Sequence, residues 1–271
     1  MKTAVVGHVE WVTFAHVDHV PISGEIVHAD DVFQLPAGGG PVAAVQLRKL
    51  AGDCTFYTAF GDDELGHRAK DEIEAMGVRV ESCFRPEPQR TAFTFVDATG
   101  ERTITVMGDR LGPRADDPLP WHELHDTEAA FFTAGDDQTL SHARRAKTLV
   151  ATLRESERLK RVGVYLDAVV GSGKDPAERY VGIDPAPGAV VVTLGSDGGT
   201  FSTSDIHEGK FAAVPLPGPR VCAYGAGDCF MGGLTYALGA TMPIDAALRF
   251  ASRCGAACLM GRGPYEAQLE D

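Results

Sequence analysis

The sequence predicts an α/β protein: a mostly parallel sheet with helices on both faces, plus a small second β sheet that forms a lid. Three observations carry that expectation. Runs of strand composition alternate with runs of helical period along most of the chain, the pattern of strands joined by crossover helices. Two stretches, about 11–35 and 91–106, break the alternation and read as extended. Strands there suit a lid over the carboxyl ends of the main sheet, where open α/β sheets bind ligands. No repeat or low-complexity linker divides the 271 residues, so residues 1–271 read as one domain with the lid strands inserted at those two places.

In chain order, Thr3-Ala4-Val5-Val6 reads as the first strand. A helix is predicted over 41–50, with Pro41 in its first turn and Gly52 as its stop. Residues 55–58 read as the next strand. Leu65, Ala69, Ile73 and Met76 recur at helical spacing, and Gly77 ends that helix. Residues 92–96 and 102–106 alternate in strand fashion around a turn at Ala98-Thr99-Gly100, a hairpin signature. Ser141 is expected to cap a helix carrying Ala143, Ala146, Val150 and Leu153, followed by a buried strand over 162–166. Val190-Val191-Val192-Thr193 is a further buried strand bounded by Gly195, and 211–216 reads as extended. Helices over about 228–238 and 244–260 close the chain.

A formal net charge of −13 argues against a nucleic-acid surface, which needs clustered Lys and Arg. No apolar stretch approaches the ~20 residues of a membrane span. The six cysteines form no Cys-x-x-Cys pair; Cys254 and Cys258 share one helical face as small core residues. With no signal peptide in view, a reduced cytoplasm is the expected location.

The most informative segment is Gly225-Ala226-Gly227-Asp228 at the start of a predicted helix. Consecutive backbone N–H groups there make an anion hole suited to a transferring phosphoryl group. A carboxylate beside it is placed to take the proton of an attacking hydroxyl. From these four residues alone, Asp228 as a plain helix N-cap is an equal alternative.

The segment resembles the nucleotide end of the ribokinase-like carbohydrate kinases, the phosphofructokinase B family, whose usual form is Asp-Thr-Thr-Gly-Ala-Gly-Asp. Three other stretches match in the family's order: Leu35-Pro36-Ala37-Gly38-Gly39-Gly40, Phe60-Gly61-Asp62-Asp63-Glu64-Leu65-Gly66, and Val192-Thr193-Leu194-Gly195-Ser196-Asp197-Gly198-Gly199. The resemblance implies a ribokinase-like three-layer αβα sandwich with a β lid. It implies ATP-dependent transfer to a hydroxyl of a small sugar, polyol or nucleoside-like acceptor. Asp228 would be the base, with Gly225, Ala226 and Gly227 as anion hole. Thr193, Gly195, Asp197 and Gly198 would lie near ATP, and Glu10 with Gly38, Gly39 and Gly40 near the acceptor. Mg²⁺ is implied as cofactor, and lids of this kind pair two subunits, implying a homodimer.

Several positions depart from the family pattern. Its first strand ends Asn-x-Asp, where this chain has Glu10 and Val12; its Gly-Gly motif is followed by Asn, where Val42 stands. The metal-ordering Asn-x-x-Glu is replaced by Ser172-Gly173-Lys174-Asp175, leaving Asp175 to act on Mg²⁺ through water. Cys222 stands where the family's motif begins with Asp, which puts a monovalent-cation site in question. These losses favour one rival, a non-catalytic nucleotide- or metabolite-binding protein on a kinase scaffold. The intact Gly-Ala-Gly-Asp opposes it.

Other signals fail on spacing. Gly171-Ser172-Gly173-Lys174 lacks the Gly at 168 and the Ser or Thr at 175 of a P-loop. Gly225-Ala226-Gly227 has Phe230 where a dinucleotide fingerprint needs its third Gly. His122-Glu123-Leu124-His125 is one residue short of HExxH, and His16 and His19 do not share a strand face.

Overall fold

The computed structural model describes residues 1–270. In chain order the strands are β1 (Lys2–Val6), β2 (Glu10–His16), β3 (Asp31–Ala37), β4 (Asp53–Gly61), β5 (Arg79–Arg85), β6 (Thr91–Val96), β7 (Arg102–Met107), β8 (Ala129–Phe132), β9 (Thr148–Thr152), β10 (Ala168–Ser172), β11 (Ala189–Thr193), β12 (Gly199–Thr203) and β13 (Glu208–Phe211). The α-helices are α1 (Gly39–Ala51), α2 (Glu64–Ala75), α3 (Asp137–Ala143), α4 (Ser156–Val162), α5 (Ala226–Gly239) and α6 (Ile244–Cys258).

Nine strands form the main sheet, in the order β13-β12-β11-β10-β9-β8-β1-β4-β5. From β11 to β5 every pair is parallel, and β12 and β13 close one edge antiparallel. Strands in a parallel sheet are buried on both faces, which explains the continuous apolar runs such as Ala129–Phe132. Alternate residues serve two cores. Val5, Phe131 and Val150 pack with α1, α2, α5 and α6, while Ala4, Phe132 and Leu149 pack with Leu140, Ala143 and Leu159 of α3 and α4.

The two irregular stretches build a separate sheet ordered β3-β2-β6-β7. Its inner face carries Val12, Phe14, Ala92 and Val96 against Cys222 and Tyr224. The tip of the β6–β7 hairpin is itself tied to the segment before α5. Ala223 N donates to Gly100 O at 2.8 Å, and Arg220 Nε donates to Thr99 O at 3.0 Å.

The expected helix over 141–153 is not formed. Asp136 caps a shorter helix, accepting from Thr139 N, and the apolar run Leu149–Leu153 goes into β9 and the turn after it. Ala143, Ala146, Val150 and Leu153 do match a helical period, but a short apolar run fits a buried strand equally well, and the parallel partners β8 and β10 decide it. The strand expected over 162–166 is also absent. Val162 ends α4, Gly163 takes the left-handed cap (φ 65°), and pairing begins only at Ala168. Only Phe211 of the stretch 211–216 belongs to a strand, since Pro215 and Pro217 remove ladder donors beyond it. Among the described residues no helix is long and apolar enough to cross a membrane.

Candidate active site

Gly225 is the N-cap of α5, with φ 83°. A Cβ there would come within 2.8 Å of Pro264 Cβ and 3.1 Å of Val42 Cγ1, so both conformation and space require glycine. Asp228 therefore sits inside the first turn and makes no cap hydrogen bond, which removes the plain N-cap reading. The first amides of a helix lack intrahelical acceptors and lie at the positive end of its dipole. A Cβ added to Gly227 would meet nothing within 4 Å, so this end of α5 opens onto free space.

The Gly38–Gly40 loop faces that opening. Gly38 (φ 92°) starts α1 and donates its N–H to Tyr224 Oη at 3.1 Å, joining the two glycine turns through one buried phenol. A Cβ on Gly39 would stand 3.1 Å from Asp228 Oδ1 and 3.1 Å from Thr133 Oγ1. Gly40 has no room at all: a Cβ would lie 2.6 Å from His8 O. Glu10 opens β2 beside Gly38, buried, with Arg90 Nε donating to its Oε1 at 2.9 Å and His8 Nε2 3.6 Å away. Burial works to raise the Glu10 carboxyl, but His8 and the Arg90 guanidinium outweigh it and hold it below its ordinary value. Thus Glu10, Gly38, Gly39, Gly40 and residues 225–228 come together in one cleft. Val12 is wholly buried in the lid and offers no polar group there.

The strand ends on the other side of Asp228 carry the second group of predicted residues. Thr193 closes β11 and donates its hydroxyl to Gly171 O at 3.3 Å. Gly195 (φ 66°) and Gly198 (φ 78°) make the tight turn beyond it, closed by Leu194 N donating to Gly198 O at 2.7 Å. Gly195 to Asp197 are exposed, and Lys174 Nζ lies 3.1 Å from where a Gly195 Cβ would be. Asp175 caps a short turn, its Oδ1 accepting from Ala177 N at 3.0 Å and its Oδ2 from Arg154 Nη2 at 3.3 Å.

Three residues later lies a carboxylate that sequence reading missed. Glu178 is buried, accepts from Ser172 N at 2.8 Å, and pairs with Arg154 Nη2 at 2.6 Å. Burial raises its pKa in spite of Arg154. The Pro at 176 directly after Asp175 marks a capped turn, and that was the one local signal for a side chain folded back at 178.

Asp228 feels Arg154, Glu178 and Glu10. Burial pushes its carboxyl up to about 6; Arg154 works against the rise, and Glu178 adds to it. A carboxylate near that value is still mostly ionised at neutral pH yet more basic than an ordinary one, which suits proton abstraction. Among the described residues no three His, Cys, Asp or Glu side chains gather into a metal-holding group. A hard cation carried on nucleotide phosphates would need few protein ligands, and Asp175 and Glu178 are the carboxylates that would hold it.

The family profile described as pfkB family carbohydrate kinase matches residues 2–170 and 166–271. A protein of Halopiger xanaduensis named ATP-dependent ribose-1-phosphate kinase is 25% identical, over 98% of this chain and 94% of its own. Among solved structures, a putative ribokinase from Agrobacterium tumefaciens superposes with a TM-score of 0.81 at 18% identity, covering 98% of this chain and 94% of that one. The Arabidopsis thaliana ribokinase complexed with ribose and ATP superposes with a TM-score of 0.76 at 19% identity, covering 99% and 96%.

Proposed function

The chain belongs to the pfkB family of carbohydrate kinases, and from that premise we propose that it moves the γ-phosphoryl group of ATP to a hydroxyl of a small sugar, polyol or nucleoside-like acceptor, with Asp228 as general base. The observation that carries the reading is the meeting of Asp228 with Gly39 and with the open amide turn at 225–227. The acceptor oxygen attacks the γ-phosphorus, the new P–O bond forms as the bond to the β-phosphate oxygen breaks, and ADP leaves. Asp228 takes the hydroxyl proton. The amides of 226–228 stabilise the equatorial oxygens, and Thr193 with the Gly195–Gly198 turn receives the nucleotide. Asp175 and Glu178 would be the residues to hold Mg²⁺, which would supply charge neutralisation at the ATP phosphates.

The face of the lid turned away from Tyr224 carries Phe93 and Phe95 beside the exposed Val32 and Met107. That apolar strip supports pairing with the lid of a second copy.

ADP formation measured across sugars, nucleosides and polyols tests the reading. Acceptor-dependent ADP release is expected, whereas ATP binding without it would point to the non-catalytic alternative. The protonation state gives a second check. A ¹³C carboxyl titration should show one signal, missing from Asp228→Asn, that titrates near pH 6, and kcat/KM should rise with pH through the same range. Activity that is flat from pH 5 to 7 would remove Asp228 as base.

A further inference from the structure

We infer that Arg154 is a built-in competitor of the divalent cation: its guanidinium and the Mg²⁺ of an ATP complex take the same place, between Asp175 and Glu178, so one must leave as the other enters. This rests on the kinase reading of the cleft. One local fold brings the three side chains together. Val170 of β10 pairs with Thr152 of β9, and Arg154 follows β9 by two residues, its N–H donating to Thr152 Oγ1 at 3.3 Å. Beyond β10, Asp175 caps a turn that folds Glu178 back onto Ser172. Each carboxylate commits one oxygen to the backbone. Asp175 Oδ1 accepts from Ala177 N at 3.0 Å, and Glu178 Oε2 accepts from Ser172 N at 2.8 Å. The remaining oxygens, Asp175 Oδ2 and Glu178 Oε1, face a single atom, Arg154 Nη2, at 3.3 and 2.6 Å. Two carboxylate oxygens converging on one point suit a hard divalent cation that keeps most of its waters.

The exposures of the three partners make exchange easier than loss. The Glu178 side chain is 8% exposed, whereas that of Arg154 is 57% exposed. A buried carboxylate stripped of its cation is costly, so Glu178 needs a positive charge beside it. A guanidinium more than half in water withdraws at little cost. One nitrogen shared by two carboxylates is also a weaker grip than a bidentate fork. Arg154 therefore gives way to another cation and not to water. The consequence is an order of binding. A free metal ion must displace a charge tethered to the chain, with nothing to receive the released guanidinium. A metal ion carried by ATP arrives with phosphates that balance it, so cation and nucleotide enter together.

The test titrates Mn²⁺ into the full chain without nucleotide and reads free Mn²⁺ by electron paramagnetic resonance. Arg154→Gln is expected to tighten Mn²⁺ binding by about 10-fold over wild type, and Arg154→Gln/Glu178→Gln to lose that gain. Lys174→Gln removes the exposed cation next to Asp175 in the chain, and should change the affinity by no more than about two-fold. Melting gives a second reading: Arg154→Gln should have a lower Tm than wild type, and Mg²⁺ alone should raise it while leaving wild type where it was. If Arg154→Gln does not fold, wild type still decides. Its Arg154 side-chain ¹⁵N signals, identified by their loss in Arg154→Lys, should shift when Mg²⁺ is added to the ADP complex, and unmoved signals would count against displacement. Equal Mn²⁺ affinities for wild type and Arg154→Gln would overturn the proposal and leave the kinase reading standing. So would an equal gain from Lys174→Gln, or a gain that survives Glu178→Gln. Failure of every form to bind ATP with Mg²⁺ would overturn the kinase reading instead, with Arg154 still judged by the titration without nucleotide.

Discussion

Asp228→Asn should lower kcat by about 10³-fold, within the range that removal of a positioned base produces, and leave KM for ATP nearly unchanged. The amide is close to isosteric, and no hydrogen bond of the helix cap depends on the carboxylate. Stability should move the opposite way. A carboxyl whose folded pKa is raised to about 6 favours the fold at pH values below its unfolded pKa of about 4, and that contribution is lost as pH rises through about 6. At pH 7 the wild type therefore holds an unfavourably buried charge that Asp228→Asn removes, and its Tm should be the higher of the two. Calorimetry beside single-turnover kinetics gives both readings from one preparation. Near-normal turnover would sink the assignment, whatever the Tm.

Gly225→Ala has the second largest expected effect, and it acts on both stability and rate. The position holds φ at 83°, and a Cβ must displace Pro264 and Val42 from 2.8 and 3.1 Å. Left-handed strain and overpacking together are expected to cost about 2–4 kcal/mol. The surviving fold must tilt the first turn of α5, moving the amides from the phosphoryl oxygens and lowering kcat by about 100-fold. Gly227→Ala is the informative comparison, because its Cβ meets nothing and its backbone is helical. That variant should be as stable as wild type or better by up to about 1 kcal/mol. Urea denaturation of the pair separates strain from simple loss of glycine: equal stabilities would show that the cap carries no strain.

The parts of the molecule visible in the sequence are those specified locally. Leu65, Ala69 and Ile73 mark α2, and the alternation around Gly100 marks a lid hairpin, because each pattern is complete within one element. The stretch from 137 to 172 misled because β9 and β10 owe their conformation to parallel partners outside each segment, joined by crossovers rather than by a tight turn. The same division runs through the site. Gly225 to Asp228 form one contiguous turn, and the turn that ends in Gly198 is likewise local. Thr133, Arg154 and Glu178 follow three different strands of the parallel sheet, which alone brings them toward Asp228, and Arg90 reaches Glu10 from the start of a lid strand. A single arginine or glutamate at such an end has no motif to announce it.

The hydrogen bonds from Ala223 to Gly100 and from Arg220 to Thr99 bear on how the enzyme could be re-engineered. A lid hairpin is an obvious module to exchange between homologues when a new acceptor is wanted. Here its tip is stitched to the strap that leads into the Gly225 turn, so a foreign hairpin at 97–101 would arrive without the bonds that hold 220–223. A chimaera should exchange both segments together, since swapping the hairpin alone would disturb the Gly225 turn along with the lid.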